Sequence, residues 1–355
     1  MNTKQYRIKD IAKMAGVSAG TVDRVLHNRG EVSSSSREKV EAVLSQIDYK
    51  PNLYVSSIGV KRAISVVVVL PSFTMGGYWE QIEKGIKQAA YEFSNIKLKI
   101  KFLYYDQFDL FSCREIYNKA LSIPCDAMLI GPTFTDETLQ FVCRLEASGI
   151  PYVFVDSMIG NTNPLAFYGP DSHALGRIQA RLLTESMDER RDVVMLRARR
   201  VGDESSTSSI VQRSGFLAYV REHHPDMRVI DCVYDTSSPE QSREAFDELF
   251  ARHADIGGIV VFNSRAYLIA DYLRRRKLRN VGLVGYGIID RNLAGLRDGF
   301  ITYLLSERPD KQGYLAIRAI LEYALFGKRG ERINHTPVDI LIRENIDYYL
   351  RHMAL

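Results

Sequence analysis

The chain has 355 residues, of which 46% are apolar, and it carries 47 Lys and Arg against 43 Asp and Glu, a net charge of +4. This length predicts two or three folded units, and this apolar content is ordinary for a globular protein with a buried core. The longest strongly apolar run, residues 63–70, is too short to span a bilayer, and the N-terminus has no apolar signal region. We therefore expect a cytoplasmic protein without a membrane partner.

The net charge is unevenly distributed along the chain. Residues 1–62 hold 11 Lys and Arg against 6 Asp and Glu, a net charge of +5, and the remaining 293 residues have a net charge of −1. A basic segment that precedes a nearly neutral body is typical of a phosphate-binding module joined to a separate sensing domain.

Residues 8–28 predict two short helices bent around a tight turn. The first helix has an apolar face at helical spacing, formed by Ile8, Ile11, Ala12 and Ala15. Gly16 suits the left-handed end of that helix, and Ser18 is a favourable N-cap for the next one. The second helix turns Val22, Val25 and Leu26 inward. This pattern favours a helix-turn-helix, whose second helix enters the DNA major groove, over an ordinary helical hairpin.

A third helix is predicted after the run of four serines at 33–36. Either Ser33 caps this helix, or Ser35 and Glu38 form a capping box. The apolar stripe of the helix is Val40, Val43, Leu44 and Ile47. Because Pro51 lacks an N–H group, it ends the segment, and the three helices together predict a compact all-α head.

From residue 63 onward, strands alternate with helices. The predicted strands are 64–70, 97–105, 127–131, 152–155, 192–197, 228–233, 257–262 and 281–285. The predicted helices are 79–93, 112–122, 136–148, 172–187, 209–223, 239–252 and 265–276. This alternation predicts an α/β body of two Rossmann-like lobes with parallel sheets, and a ligand cleft where the strand ends of the two lobes meet.

The remaining sequence features predict neither a metal site nor catalysis. Four cysteines lack the spacing of a zinc site, and the adjacent pair His223–His224 is more typical of a solvated loop than of a metal site. The arginine-rich runs 197–200 and 274–276 are interpreted as solvated faces. No phosphate-binding loop or nucleophile elbow is visible. We expect no cofactor, no metal and no enzymatic activity.

The head resembles that of the LacI/GalR family of bacterial transcription regulators. The resemblance is carried by Ile-Lys-Asp-Ile-Ala-Lys-x-Ala-Gly-Val-Ser at 8–18, Thr-Val-x-Arg-Val-Leu at 21–26 and Tyr-x-Pro-Asn at 49–52. The body resembles the periplasmic-sugar-binding-protein-like core of the same family. The resemblance implies a head at 1–51, a hinge at 52–62 and a core at 63–355. Lobe one is expected at about 63–170 and 302–333, and lobe two at about 171–301 and 334–355.

The resemblance also implies which residues contact DNA. The family's base-reading positions fall on Ala19, Gly20 and Arg24, and an arginine can bond O6 and N7 of guanine together. Phosphate contacts are expected from Ser18, Thr21 and Ser33, with Asn28 and Asn52 as further DNA-binding residues. Ile58 stands where the family presses a leucine into the minor groove, so residues 52–59 form either a DNA-kinking helix or a plain linker.

The ligand residues implied by the family pattern lie at or after strand ends, except for Arg213, which lies at the start of a lobe-two helix. They are Tyr78, Trp79, Asp156, Arg213, Asn263, Tyr286 and Glu307. Tyr78 and Trp79 either stack on a sugar ring or pack in the core, and Asp171 is better explained as a helix cap. Since Gly287 replaces a usual aspartate and Ser157 a usual arginine, we expect a sugar-like effector other than simple ribose or galactose.

These observations predict a ligand-responsive transcription regulator of repressor type, acting as a homodimer on a near-palindromic DNA operator. The ligand either releases the protein from DNA or strengthens the binding. A solute-binding protein would share the body but would need an export signal and no helix-turn-helix. A sugar-processing enzyme would need a nucleotide loop or a catalytic pair.

Overall fold

A helical head and a two-sheet body make up the computed structural model, which describes residues 8–26, 32–47, 63–188, 190–203, 206–236 and 238–353. The head helices are α1 (Ile8–Ala15), α2 (Ala19–Leu26) and α3 (Ser34–Gln46). Their shared core contains Ile11, Val22 and Val40, each fully buried. Gly16 has a φ of +63° between α1 and α2, which confirms the predicted left-handed turn.

The caps of the head helices are made by serines. The Ser33 hydroxyl accepts a hydrogen bond from the N–H of Ser36 at 3.3 Å, so Ser33 rather than the alternative capping box begins α3. The Ser18 hydroxyl accepts from the N–H of Thr21 at 3.0 Å at the start of α2. Both turns therefore form as the sequence predicts.

The body alternates strands and helices. Its strands are β1 (Ile64–Pro71), β2 (Leu98–Tyr105), β3 (Ala127–Ile130), β4 (Tyr152–Val155), β5 (Ala166–Gly169), β6 (Asp192–Ala198), β7 (Val229–Tyr234), β8 (Ile256–Val261), β9 (Gly282–Tyr286), β10 (Tyr303–Ser306), β11 (Ile333–His335) and β12 (Asp339–Leu341). Its helices are α4 (Tyr78–Glu92), α5 (Leu110–Leu121), α6 (Thr135–Ala147), α7 (Ser172–Glu185), α8 (Thr207–His223), α9 (Pro239–Arg252), α10 (Ala266–Arg276), α11 (Asp290–Arg297), α12 (Pro309–Phe326) and α13 (Ile346–Met353). No helix within the described ranges has the length and apolar content needed to cross a membrane.

Two six-stranded sheets confirm the expected pair of α/β lobes. The lobe-one sheet has the order β11-β5-β4-β3-β1-β2 and is parallel throughout. The lobe-two sheet has the order β12-β10-β9-β8-β6-β7 and is parallel except for the edge pair β10–β12. The central strands β1 and β8 are buried along almost their whole length, as expected where helices cover both faces of a parallel sheet.

The structure corrects the expected boundaries between the lobes. Strand β10 belongs to the lobe-two sheet, because it pairs in parallel with β9, whereas residues from 302 onward were expected in lobe one. The following helix α12 packs against α4, β4 and β5 of lobe one, and β11 pairs with β5 through His335. The chain therefore crosses between the lobes at 170–171, 307–308 and 336–338.

Within a lobe, glycines allow neighbouring helices to pack closely. In lobe two, a Cβ on Gly176 of α7 would lie 1.9 Å from the backbone O of Gln212 on α8, and a Cβ on Gly215 would lie 2.0 Å from the backbone O of His173. Real side chains never approach a backbone oxygen so closely, so neither position tolerates a larger residue without separating the two helices.

We expect Gly176→Ala to destabilise the protein, because the added methyl group collides with backbone rather than with a flexible side chain. Overpacking of this kind costs about 1–3 kcal/mol. The measurement is the free energy of unfolding in urea. Gly330→Ala is the matched control, since a Cβ at Gly330 meets nothing within 4 Å. Equal urea midpoints for the two variants would contradict the packing argument.

Candidate functional site

The carboxyl ends of the strands of both lobes line the cleft between the lobes. Backbone hydrogen bonds already cross it: the N–H of Val201 in lobe two donates to the O of Phe108 at 2.7 Å, and the N–H of Leu110 donates to the O of Val201 at 3.1 Å. At another edge, the Gln81 side-chain amide donates to the O of Ile288 at 2.7 Å. The described structure is thus a closed arrangement of the lobes.

A buried group that we call the carboxyl cluster, Tyr78, Asp156 and Glu307, lies in this cleft. The Tyr78 hydroxyl, at the start of α4, donates to Oε1 of Glu307 at 2.6 Å. Asp156 follows β4 with a φ of +69°, and its Oδ2 accepts from the Ser157 hydroxyl at 2.7 Å. Its backbone N–H donates to Oε1 of Gln312 at 3.0 Å. The cluster therefore joins elements of both lobes.

Burial dominates the electrostatics of the carboxyl cluster. It raises the pKa of Asp156 to about 6, against the opposing hydrogen bonds from Ser157 and Tyr78. Burial and then the neighbouring charge of Asp156 raise the pKa of Glu307 well above its usual range. Glu307 is 1% exposed, and its Oε2 has no hydrogen-bond partner within the described structure. A buried polar atom of this kind costs free energy until a hydrogen-bond partner reaches it.

The two aromatic residues at 78–79 have different surroundings. Tyr78 reaches the carboxyl cluster and lies 6.0 Å from the ring of Tyr286 across the cleft. Trp79 packs in the lobe-one core against Leu70 and Gly131, where a Cβ on the glycine would lie 2.5 Å from the indole. The core interpretation therefore fits Trp79, whereas Tyr78 contacts the site.

Arg213 does not contact the carboxyl cluster and instead pairs with Asp231. Its Nη2 lies 2.8 Å from Oδ2 of Asp231 on β7, a carboxylate that also pairs with Arg197 at 3.2 Å. The neighbouring Gln212 on the same helix is instead almost fully buried, with its Oε1 lacking a partner within the described structure. A difference of one residue on α8 therefore separates a surface ion pair from the interior of the lobe.

A second region, which we call the arginine pocket, lies at the strand ends of lobe two. Its cavity volume is about 30 Å³, and its polar lining is Gln107, Arg197, Arg200, Ser206, Ser209 and Asn263. The expected ligand residue Asn263 is thus placed here, with its Oδ1 accepting from the Tyr234 hydroxyl at 3.1 Å.

Arg200 is a site residue that sequence reasoning missed. The run 197–200 was interpreted as a solvated face, but the guanidinium of Arg200 lies 4.0 Å from the ring centroid of Phe134 in lobe one. Its Nη2 donates to the backbone O of Thr133 at 2.9 Å. The available signal was its position two residues after the end of β6, since ligand groups in parallel sheets follow the carboxyl ends of strands.

In the head, the predicted base-reading residues Ala19, Gly20 and Arg24 are exposed at α2, while Val22 and Val25 on the opposite face are buried. The hydroxyls of Ser18 and Thr21 are 2.9 Å apart. Asn28, Asn52 and Ile58 lie outside the described residues. At the first crossover, Asp171 caps α7 by accepting from the N–H of Ala174 at 3.0 Å, which confirms the interpretation of Asp171 as a cap.

Comparisons with known proteins match both parts of the chain. A profile of periplasmic binding protein domains matches residues 66–329, and a profile described as bacterial regulatory proteins, lacI family, matches residues 7–52. The solved structure of a candidate LacI transcriptional regulator from Bacteroides fragilis is 30% identical with a TM-score of 0.77, over 81% of this chain and 100% of that one.

Two further similarities are more distant. Catabolite control protein A of Staphylococcus xylosus is 28% identical over 149 residues, 41% of this chain and 42% of that protein, so the match spans less than half of the curated relative. A glucose-galactose binding protein from Geobacillus stearothermophilus is 19% identical with a TM-score of 0.71, over 81% of this chain and 99% of that one. The second similarity concerns the fold alone.

The raised pKa of Asp156 gives a pH prediction. Because the folded carboxyl holds its proton more tightly than the unfolded one, the resulting stabilisation is present below the ordinary pKa of 3.8 and is lost as the pH rises through about 6. Asp156→Asn, which stays neutral, should therefore gain stability relative to the natural protein between about pH 4 and pH 7, by up to about 3 kcal/mol.

Urea unfolding at intervals across this pH range measures the difference. Asp226→Asn, at an exposed position, controls for the loss of one negative charge. A stability difference for Asp156→Asn that stays constant with pH would refute the proposed protonation of the buried carboxyl.

Proposed function

The chain belongs to the lacI family of bacterial regulatory proteins, and from that premise we propose that it is a ligand-responsive transcription regulator that binds a near-palindromic operator as a homodimer. The observation that carries the proposal is the exposure of Arg24 and the first residues of α2 on a head whose opposite face is buried. A helix presented in this way fits the major groove, and two-fold symmetry of the protein gives two half-sites. Such a protein acts on DNA in the cytoplasm.

Within the head, Arg24 is the residue that reads bases. Its guanidinium can donate to O6 and N7 of one guanine, whereas Ala19 offers a methyl contact and Gly20 no side chain. Ser18, Thr21 and Ser33 contact phosphates, which fixes the position of the helix without selecting a sequence. Sequence preference is therefore concentrated in one side chain per half-site.

The effector is a sugar or a sugar-like compound that binds in the cleft between the lobes. The buried carboxyl cluster offers oxygen atoms to ligand hydroxyls, among them Oε2 of Glu307, which has no partner among the described residues. Tyr78 and Tyr286 offer aromatic surface to the apolar face of a ring. A ligand that favours one arrangement of the lobes changes operator affinity, and operator DNA changes ligand affinity by the same factor.

We expect Arg24→Ala to relax the base preference of the protein. The lost bidentate contact should reduce discrimination at one base pair of each half-site by about 1–3 kcal/mol. The measurement is selection of bound sequences from random duplex DNA, followed by affinity measurements at two salt concentrations. The natural protein should select a near-palindromic site in the same assay.

Lys39→Ala provides the control, since Lys39 is an exposed cation of the same head on α3. It should leave the selected sequence unchanged. If Arg24→Ala selects the same sequence with the same affinity as the natural protein, the assignment of α2 as the recognition helix fails.

A further inference from the structure

Two arginine side chains line the arginine pocket. Arg197 and Arg200 line it, together with the side chains of Ser206, Ser209 and Asn263, and no Asp or Glu of the described chain does so. Arg197 is partly neutralised by Asp231 at 3.2 Å. The charges of Asp106 and Asp203 act on the pKa of Arg200, but neither residue lines the pocket. Among the described lining residues, positively charged side chains therefore outnumber negatively charged ones.

Contacts with lobe one hold the guanidinium of Arg200 in place, and no carboxylate of the described residues forms an ion pair with it. Stacking on Phe134 and the bond from Nη2 to the O of Thr133 fix its plane, and both partners belong to lobe one. Its Nε is buried and has no hydrogen-bond partner among the described residues. Burial is the largest influence on the pKa of Arg200 and lowers it. A buried donor on a charged group costs free energy until an acceptor reaches it.

The start of α8 forms another wall of the pocket, where the Ser206 hydroxyl donates to the Ser209 hydroxyl at 2.7 Å and the Ser209 hydroxyl donates to the O of Phe262 at 3.4 Å. The 17-residue helix α8 begins here, with Ser206 as its N-cap and Ser209 in its first turn. A helix N-terminus favours negative charge. The Oδ1 of Asn263 accepts from the Tyr234 hydroxyl and from the N–H of Arg265, which leaves the Asn263 amide nitrogen to serve a ligand acceptor.

The arginine pocket and the carboxyl cluster are neighbours. The Tyr105 hydroxyl, at the end of β2, donates to the O of Gly131 at 2.6 Å and lies 3.1 Å from the hydroxyl of Thr133, whose backbone O accepts from Arg200. Gly131 follows β3, which pairs with β4, and Asp156 follows β4. A single small ligand could thus meet hydroxyl acceptors at one end of the cleft and anion-binding donors at the other.

We propose that the effector is an anionic sugar derivative, whose carboxylate or phosphate binds Arg200, Asn263 and the start of α8 while its hydroxyls bind Asp156 and Glu307. The proposal rests on the function proposed above and names the chemical class of the effector. An anion at Arg200 also stabilises the closed lobes, because the same guanidinium contacts Phe134 and Thr133 across the cleft.

Isothermal titration of the full chain with matched probes tests this inference. The probe sets are D-glucose, D-glucuronate and D-glucose 6-phosphate; D-galactose, D-galacturonate and D-galactose 6-phosphate; and D-ribose and D-ribose 5-phosphate. In at least one set, the anionic member should bind about tenfold or more tightly than its neutral parent. Preference for the acids identifies a carboxylate site, and preference for the phosphate esters identifies a phosphate site.

Variants at neighbouring arginines make the test specific. Arg200→Gln should abolish the preference for the anion, Arg200→Lys should retain part of it, and Arg199→Gln at the adjacent exposed arginine should retain it fully. Thermal unfolding of each variant without ligand shows that it is folded. The inference is overturned if neutral sugars bind as tightly as their anions in every set, if no anionic probe binds, or if Arg200→Gln keeps the preference.

Operator binding, measured on the same preparations, separates this inference from the proposed function. If the protein binds its operator but does not prefer anionic probes, only the proposed chemical class of the effector is wrong. If an anionic probe binds but the protein selects no DNA sequence, the proposed function as a transcription regulator is wrong, whereas the inferred anion site is supported.

Discussion

The hydrogen bond from the Tyr78 hydroxyl to Glu307 joins the two lobes inside the closed cleft. It links the first turn of α4 in lobe one to the residue that follows β10 of lobe two, and Asp156 comes from the end of β4 nearby. Both carboxyls are removed from water, and this burial raises the pKa of each. Their polar atoms therefore depend on a few hydrogen bonds. Opening the lobes would rehydrate these groups, so burial of the carboxyls opposes closure while their hydrogen bonds favour it.

Different chemistry holds the cleft at its other edge. There the Arg200 guanidinium stacks on Phe134, and the backbone of Val201 pairs with the segment at 108–110. Arg265 lies 4.8 Å from the ring of Phe108, a second cation–π contact between the lobes. One edge carries carboxyl groups and the other carries arginines. A ligand that forms hydrogen bonds with the polar groups of both edges therefore favours closure more than a ligand that binds one edge. That difference in affinity between the two states is what a conformational response requires.

Periodicity and turn chemistry were sufficient to predict the head and most of the strands and helices, because Gly16, Ser33 and the apolar stripes act locally. The assignment of β10 to lobe two was not predictable, because a buried apolar strand carries no mark of the sheet it joins. The site was predicted in part: Tyr78, Asp156, Tyr286 and Glu307 converge, whereas Arg213 does not. Successive residues of a helix point about 100° apart, so a motif alone does not decide whether Gln212 or Arg213 faces inward. Arg200 was missed because a run of arginines usually lies in solvent.

The three crossovers restrict how the lobes can move. Arg308, in the second crossover, has a φ of +53°, and its Nε donates to Oδ2 of Asp339 at 2.7 Å, at the start of the strand that follows the third crossover. Asp339 also accepts from the Tyr349 hydroxyl at 2.8 Å, so two crossovers and α13 are joined. A left-handed residue with a side chain costs about 1–2 kcal/mol, and it persists where neighbouring contacts fix it. Glu307 directly precedes this fixed residue. A ligand that displaces the Tyr78 hydroxyl from Glu307 therefore acts on the backbone segment through which any rotation of one lobe against the other must pass.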